Sequence, residues 1–286
     1  MLRVSLRNQA ESLLLLVMNL AKILLRVRGN RFLHLTPPNF KRQWVLNVPK
    51  RKLLSYEIGS WSDWLTAYQI FGMDSYNLDT LGCQGRVEKA YSVMAKSGRP
   101  AILDFGGNIG LSSLYFAEEY PEAEVYCVEI DSANIDLAKR NLSSRDSVRV
   151  LHAGIASKIG KGFVQDPHLG NDGYRLSANP NGGGEEVDLV EVRTLVDFES
   201  RTPILIVKID IEGSEKELFS ENTDWVDYAA LIISEPHDWL IPMEANSKNF
   251  VSCIGGKDRD FLIKGENIFS MANQVKLPRN KVTNIT

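Results

Sequence analysis

From Pro100 onward the chain alternates between short uninterrupted apolar runs and longer stretches with helical spacing. Residues 101–103, 123–129, 148–153, 204–209 and 229–234 read as strands. Residues 109–119 and 132–141 read as helices, the second with Ser132 at its N-cap, and a further helix runs up to Phe219. Strands this short and apolar, separated by helices, predict an α/β fold: a doubly wound, mostly parallel sheet covered on both faces. Upstream, Leu65, Ile70, Leu78, Leu81, Val87, Ala90 and Val93 recur at loose helical spacing, which predicts helix over 62–97.

Two stretches break the pattern. Residues 30–60 hold Pro37-Pro38, Pro49 and a basic cluster at 50–52, and read as a connector with one or two short strands. Residues 160–186 are rich in Gly, Asn, Asp and Pro, and read as a functional loop or lid. The amino-terminal run SLLLLVMNLAKILL, residues 12–25, is too short to span a bilayer and is interrupted by Asn19 and Lys22. Arg3, Arg7, Lys22, Arg26, Arg28 and Arg31 flank it against the single acid Glu11. It predicts an amphipathic helical extension packed on its own domain or on a second subunit, with peripheral membrane contact through residues 12–28 as the alternative. The expected division is therefore 1–60 for helix and connector and 61–286 for the main domain. Trp61, Trp64 and Tyr68 fall near one helical face and read as core or subunit contacts.

Composition narrows the function classes. With 286 residues, 44% hydrophobic and 24% charged, the chain has a full core, which excludes disordered and fibrous classes. A net charge of -3 gives no field for nucleic acid. Cys83, Cys127 and Cys253 lie far apart, which excludes a disulfide framework and a cysteine-only zinc site and suits a reducing compartment. No small-residue cleavage pattern follows the apolar run, so a cytoplasmic protein is expected. The histidines, His34, His152, His168 and His237, show no metal-ligand spacing to one another.

The densest signal is ILDFGGNIG at 102–110. An apolar strand ends at Asp104, Gly106 and Gly107 turn the chain, and Gly110 opens a helix. Ligands of open α/β sheets bind at the carboxyl ends of the strands, and glycine lets the backbone approach them. Asp104 beside the turn would repel a pyrophosphate and attract a cationic ligand, such as an amino acid moiety bearing a sulfonium. The dinucleotide pattern G-x-G-x-x-G fails, because Phe105 stands where it needs glycine. The next strand, EVYCVE, ends at Glu129, whose two oxygens are placed to accept both hydroxyls of a ribose. Ile130 is grouped with it, and Ala153 with its small neighbour Gly154 leaves room for a flat base.

These segments resemble the FkbM-type family of S-adenosylmethionine-dependent methyltransferases. The resemblance rests on ILDFGGNIG, VEIDSANIDLAKRNL, LHAGIAS, VEVRTLVDF and VKIDIEGSEKELF, spread over about residues 100–237. The resemblance implies a class I, Rossmann-like fold with a seven-stranded sheet, S-adenosylmethionine as cofactor, and methyl transfer to a hydroxyl of a small-molecule or glycosyl acceptor. It places Asp104, Asn108 and the glycines at the methionine end and Glu129 at the ribose. Gly107 stands where alanine is frequent, a departure expected to be conservative.

Two strand ends supply candidate chemistry. Lys208, Asp210 and Glu212 alternate after one strand, and Glu235 and His237 after the next, so both sets should border the crevice of Asp104. His237 is the first choice of general base, since its ordinary pKa is about 6.5; Asp210 is the second. Glu212 and Glu235 are candidates for substrate contact. No metal is expected, because no spacing specifies one, although Asp210, Glu212, Glu235 and His237 would be the residues to hold a divalent cation that acidifies a hydroxyl. Lys208 is read as neutralising Asp210 or Glu212. Ser214 and Glu217 match a capping box, and Glu215 suits the positive start of that helix. The rival readings are an NAD(P)-dependent oxidoreductase on a related sheet and a non-catalytic cofactor-binding module.

Overall fold

A computed structural model describes residues 31–165, 175–177, 184–196 and 202–275. The amphipathic run at 12–25 lies outside these residues. Two compact units divide between Asn77 and Leu78.

The first unit contains three strands rather than one or two: β1 (Phe32–His34), β2 (Arg42–Asn47) and β3 (Lys52–Glu57), paired antiparallel in that order. Alternation along β2 turns Gln43, Val45 and Asn47 inward and leaves Arg42, Trp44 outside. Helix α1 (Trp61–Ala67) starts at a reciprocal cap, in which Ser60 Oγ accepts from the Asp63 amide and the Asp63 carboxylate accepts from the Ser60 amide. Trp64 is buried and stacks on Trp61 at 5.2 Å and on Tyr68 at 5.5 Å, so Trp64 is a core contact of this unit, while Trp61 stays exposed.

The helix expected over 62–97 is broken. Asp74 and Gly82 take left-handed backbone angles (φ 52° and 68°), which a right-handed helix cannot contain. The second half re-forms only as α2 (Gln84–Ala95), within the second unit.

That unit runs β4 (Ala101–Phe105), α3 (Leu111–Glu119), β5 (Glu124–Glu129), α4 (Ser132–Leu142), β6 (Val148–His152), then β7 (Gly154–Ile155), β8 (Gly160–Gln165), β9 (Arg175–Ser177) and β10 (Glu185–Val190). It continues α5 (Val192–Leu195), β11 (Ile204–Ile209), α6 (Glu215–Leu218), β12 (Ala229–Ser234), α7 (Lys248–Gly255), β13 (Arg259–Lys264) and β14 (Asn267–Ala272). Asp131, one residue before the expected Ser132, caps α4: its Oδ1 accepts from the Asn134 amide at 2.7 Å.

The main sheet has seven strands in the order β13-β14-β12-β11-β4-β5-β6. All neighbours from β12 to β6 pair parallel, and β14 and β13 close one edge antiparallel. This is the doubly wound α/β fold, mostly parallel, that the alternation predicts. Every residue of β4, β11 and β12 is buried, as a strand covered on both faces requires. Leu103, Phe105, Val207, Ile209, Phe219 and Trp225 lie in one core cluster, each contributing roughly 1.5–3 kcal/mol by leaving water.

Described parts of 160–186 are strands, not a lid. β8, β9 and β10 join β7 in a separate four-stranded sheet. Burial alternates from Lys161 to Val164, and Lys161 sits opposite Asp188 at 2.6 Å and near Glu186 at 3.2 Å. The glycine content conceals this pairing in the sequence. Residues 166–174 and 178–183 lie outside the described residues.

Candidate active site at the strand ends

Strand order reverses between β4 and β11, and the predicted residues gather at the carboxyl ends on either side of that switch. The turn after β4 is fixed by contacts to both neighbouring strands. The Gly106 and Gly107 amides each donate to Val128 O at 3.0 Å. Gly106 has φ 74°, and a Cβ there would lie 1.7 Å from the Asp210 carbonyl oxygen. A Cβ on Gly107 would lie 2.3 Å from Cys127 Sγ. Alanine at 107 is therefore a steric conflict in this chain, not the conservative exchange expected, because Cys127 fills the space. Burial pushes the Cys127 thiol pKa far up, so it stays a neutral packing group.

The turn then reaches Asn108, at φ 48°, whose Oδ1 accepts from the Ile109 amide at 2.6 Å. The Asn108 amide donates to Glu129 Oε2 at 2.7 Å, and the Ile130 and Asp131 amides donate to Oε1 at 2.9 Å each. Glu129 is thus held across the end of β5, facing the turn. Burial raises its pKa, and the amide hydrogen bonds work against that rise. Each carboxylate oxygen has further lone-pair capacity for hydroxyls. Ala153 is buried beside it, its amide donating to Glu129 O at 3.0 Å, and Ile130 is half-buried. Gly110, at φ 84°, starts α3 where a Cβ would meet Leu142 at 2.8 Å.

Asp104 is placed differently from the expectation of an acid facing a cation. It is 0% exposed, and its Oδ2 accepts from Ser112 Oγ and Ser113 Oγ at 2.6 Å each. Lys208 Nζ lies 3.4 Å from its Oδ1. The carboxylate is sealed behind the turn: two α3 hydroxyls take up Oδ2, while Oδ1 faces the Lys208 ammonium without a hydrogen bond. It organises the wall, and its charge is balanced from inside.

Lys208 also donates to Gly106 O at 2.7 Å and lies 3.4 Å from Asp210 Oδ2. Its role is wider than neutralising Asp210: it ties β4, the glycine turn and β11 together. The open negative charge lies beyond it. His237 Nε2 is 3.5 Å from Asp210 Oδ1, 3.7 Å from Glu212 Oε2 and 3.9 Å from Glu235 Oε1. The strand-end alternation therefore brings all these residues to one place. His237 Nδ1 lies 2.7 Å from Glu215 Oε1, and Glu215 Oε2 accepts from Asn246 Nδ2.

Two expectations are corrected here. His237 was favoured as base on an ordinary imidazole pKa. Burial works to lower that pKa, but the hydrogen bond to Glu215 and the charges of Asp210, Glu215 and Glu212 carry it up to about 9. With no cation bound, the ring therefore holds its proton at neutral pH and is a poor general base. Burial together with the charge of Asp210 pushes Glu235 up to about 7. The capping box is also absent. Ser214 makes no side-chain cap, and Glu217 Oε1 instead accepts from Ser157 Oγ at 2.7 Å. Glu215 is buried under the ring of His237 as its positioning partner, which goes beyond a helix-start role.

Ser112, Ser113, Cys127 and Asn246 were not singled out from the sequence. The serines had a signal, a polar pair inside the apolar helix LSSLYFA. Asn246 had none, since only the folded chain brings it to Glu215. Trp239 is 71% exposed, with its ring 6.4 Å from that of His237.

No family model matches the chain. The methyltransferase sdnD of Sordaria araneosa is 26% identical over 46% of this chain and 63% of its own length. The release factor glutamine methyltransferase of Fusobacterium nucleatum is 26% identical over 46% of this chain and 37% of its own length. The chain thus spans less than two thirds of each. Among solved structures, precorrin-6y C5,15-methyltransferase from Geobacter metallireducens matches at 10% identity over 63% of this chain and 84% of that one, with a TM-score of 0.35.

Proposed function

We propose that the chain is an S-adenosylmethionine-dependent methyltransferase of the FkbM type that methylates a hydroxyl oxygen of a small-molecule or glycosyl acceptor. The observation that carries this reading is Glu129, a carboxylate fixed by three backbone amides across from a glycine turn at the switch of the sheet. The methyltransferase relatives support the same reading. The residues suit the cofactor: Glu129 has lone pairs for ribose hydroxyls, Ala153 is small, and Gly106 and Gly107 carry no side chain to hold a ligand off the backbone. The negative field that favours a sulfonium comes from Asp210, Glu212 and Glu235, since Asp104 is sealed against Lys208.

When bound, S-adenosylmethionine supplies an electrophilic methyl carbon. Glu129 orients it through the ribose, and Asn108 and Ile130 keep that carboxylate aimed. The half-buried carboxylates of the cluster orient the acceptor hydroxyl and receive its proton. In the absence of a cation His237, charged and pinned by Glu215, holds Asp210 and Glu212 together. Approximation of the two reactants would supply up to about 7–11 kcal/mol, and proton transfer roughly 10²–10⁴ in rate.

Thermal shift separates the readings. S-adenosylhomocysteine should raise the melting temperature and NAD should not; stabilisation by NAD alone reverses the ranking in favour of the oxidoreductase. Tight S-adenosylmethionine binding with no turnover over a broad panel of hydroxyl acceptors would favour the non-catalytic module. Among the described residues no helix is long and apolar enough to cross a membrane.

A further inference from the structure

We propose that Asp210, Glu212 and His237 form a divalent-cation site, through Asp210 Oδ1, Glu212 Oε2 and His237 Nε2, with Glu235 at its edge. One ligand atom from each of the three lies within 4.8 Å of the others. A cation bound at about 2.0–2.2 Å keeps its ligand atoms roughly 3.0–4.4 Å apart. The separations of 3.5 Å and 3.7 Å from Nε2 to the two carboxylates fall in that range. They are too long for good hydrogen bonds.

The imidazole is the second, independent pointer. His237 is 2% exposed, and its Nε2 faces the carboxylates without a hydrogen bond among the described residues; a cation bound there takes the place of the Nε2 proton. Its other nitrogen is clamped by Glu215, which Asn246 clamps in turn. A buried carboxylate on the far nitrogen is the arrangement that fixes the tautomer and aim of a metal-binding histidine. Asp210 divides its oxygens in the same sense: Oδ2 faces Lys208, which leaves Oδ1 for the site. Glu212 reaches the cluster from a left-handed backbone position at φ 51°.

The donor set of one imidazole and two carboxylates suits a first-row divalent cation, Mn²⁺ or Zn²⁺, better than Ca²⁺. Its role rests on the methyltransferase reading; its binding does not. In the transfer, the cation would hold the acceptor hydroxyl and lower its pKa. The hydroxyl proton would pass to Glu235 at the edge of the site, the oxygen–carbon bond forms as the sulfur–carbon bond breaks, and that bonding pair leaves with the sulfur.

The test is Mn²⁺ titration of the full chain after chelator treatment, read by the electron paramagnetic resonance signal of free Mn²⁺, with no S-adenosylmethionine present. The wild type should take up one Mn²⁺ with a Kd at or below about 10⁻⁴ M. The near-isosteric pair Asp210→Asn with Glu212→Gln should abolish uptake, and Glu215→Gln should weaken it about 10–100-fold by releasing the ring. Absence of saturable uptake by the wild type overturns the site whatever the variants do, as does uptake unchanged in the double variant. Calorimetry with S-adenosylhomocysteine on the same samples keeps the two readings apart. Heat from that ligand without Mn²⁺ uptake sinks the cation site alone, and Mn²⁺ uptake without that heat sinks the methyltransferase reading alone.

Discussion

The carbonyl oxygen of Asp210 occupies the space in which a side chain on Gly106 would begin, 1.7 Å from an ideal Cβ. The turn after β4 and the acidic end of β11 are therefore fitted to each other through backbone alone.

Gly106→Ala should accordingly be severe. It combines a clash with main chain and a left-handed φ, and should cost at least about 2–4 kcal/mol. The denaturation midpoint reads this directly, and a midpoint within error of wild type would disprove the fit.

Gly107 offers a finer experiment, because its obstacle is a side chain. Gly107→Ala alone should destabilise by about 1–3 kcal/mol through Cys127. Adding Cys127→Ala removes the sulfur from the clash. A double-mutant cycle should give a favourable coupling of at least roughly 0.5 kcal/mol. Strict additivity would mean that Cys127 is not the obstacle.

Asp104→Ala strips a buried ion pair of one partner and leaves Lys208, Ser112 and Ser113 without it. The expected cost is about 3–5 kcal/mol, or roughly 2–4 °C of Tm per kcal/mol in a chain of this size. Loss of S-adenosylhomocysteine binding should accompany that fall in stability. A variant that loses binding at unchanged Tm would place Asp104 against the ligand, contrary to its burial.

Glu129 predicts two opposed pH responses. Its folded pKa lies above 4.5, so the folded state binds this proton more tightly than the unfolded chain. Its contribution to stability is fully present below the unfolded value and is lost as pH rises through the folded one. Ligand binding runs the other way, since the ionised carboxylate is the hydroxyl acceptor. Calorimetry from about pH 7.5 downward should show S-adenosylhomocysteine affinity falling before an ordinary glutamate would titrate. Glu129→Gln should bind more weakly with that inflection gone; an inflection that survives the substitution assigns it to another group.

What could be read in the sequence follows from how local each signal is. β4, β5, β11 and β12 were visible because a strand buried on both faces is a plain apolar run. The β13–β14 hairpin was not read, since RDFLIK and NIFSMA mix polar and apolar residues at a half-exposed edge. The β7–β10 sheet was hidden by glycine. The glycine turn, Glu129 and the alternating acids were legible from position alone. The clamp on His237 was not, because Glu215 lies 22 residues before His237 and 31 before Asn246. The proton affinity of His237 followed from that clamp and from three acids that only the fold assembles.

Lys208 shows what this assembly means for anyone who would re-engineer it. One ammonium serves the carbonyl of the glycine turn, the sealed aspartate behind it and the aspartate that opens the acid cluster. The glycine turn and the acid cluster are consequently not separable modules. A graft of either half onto another scaffold must carry this lysine and both of its aspartates, or it will import an uncompensated charge.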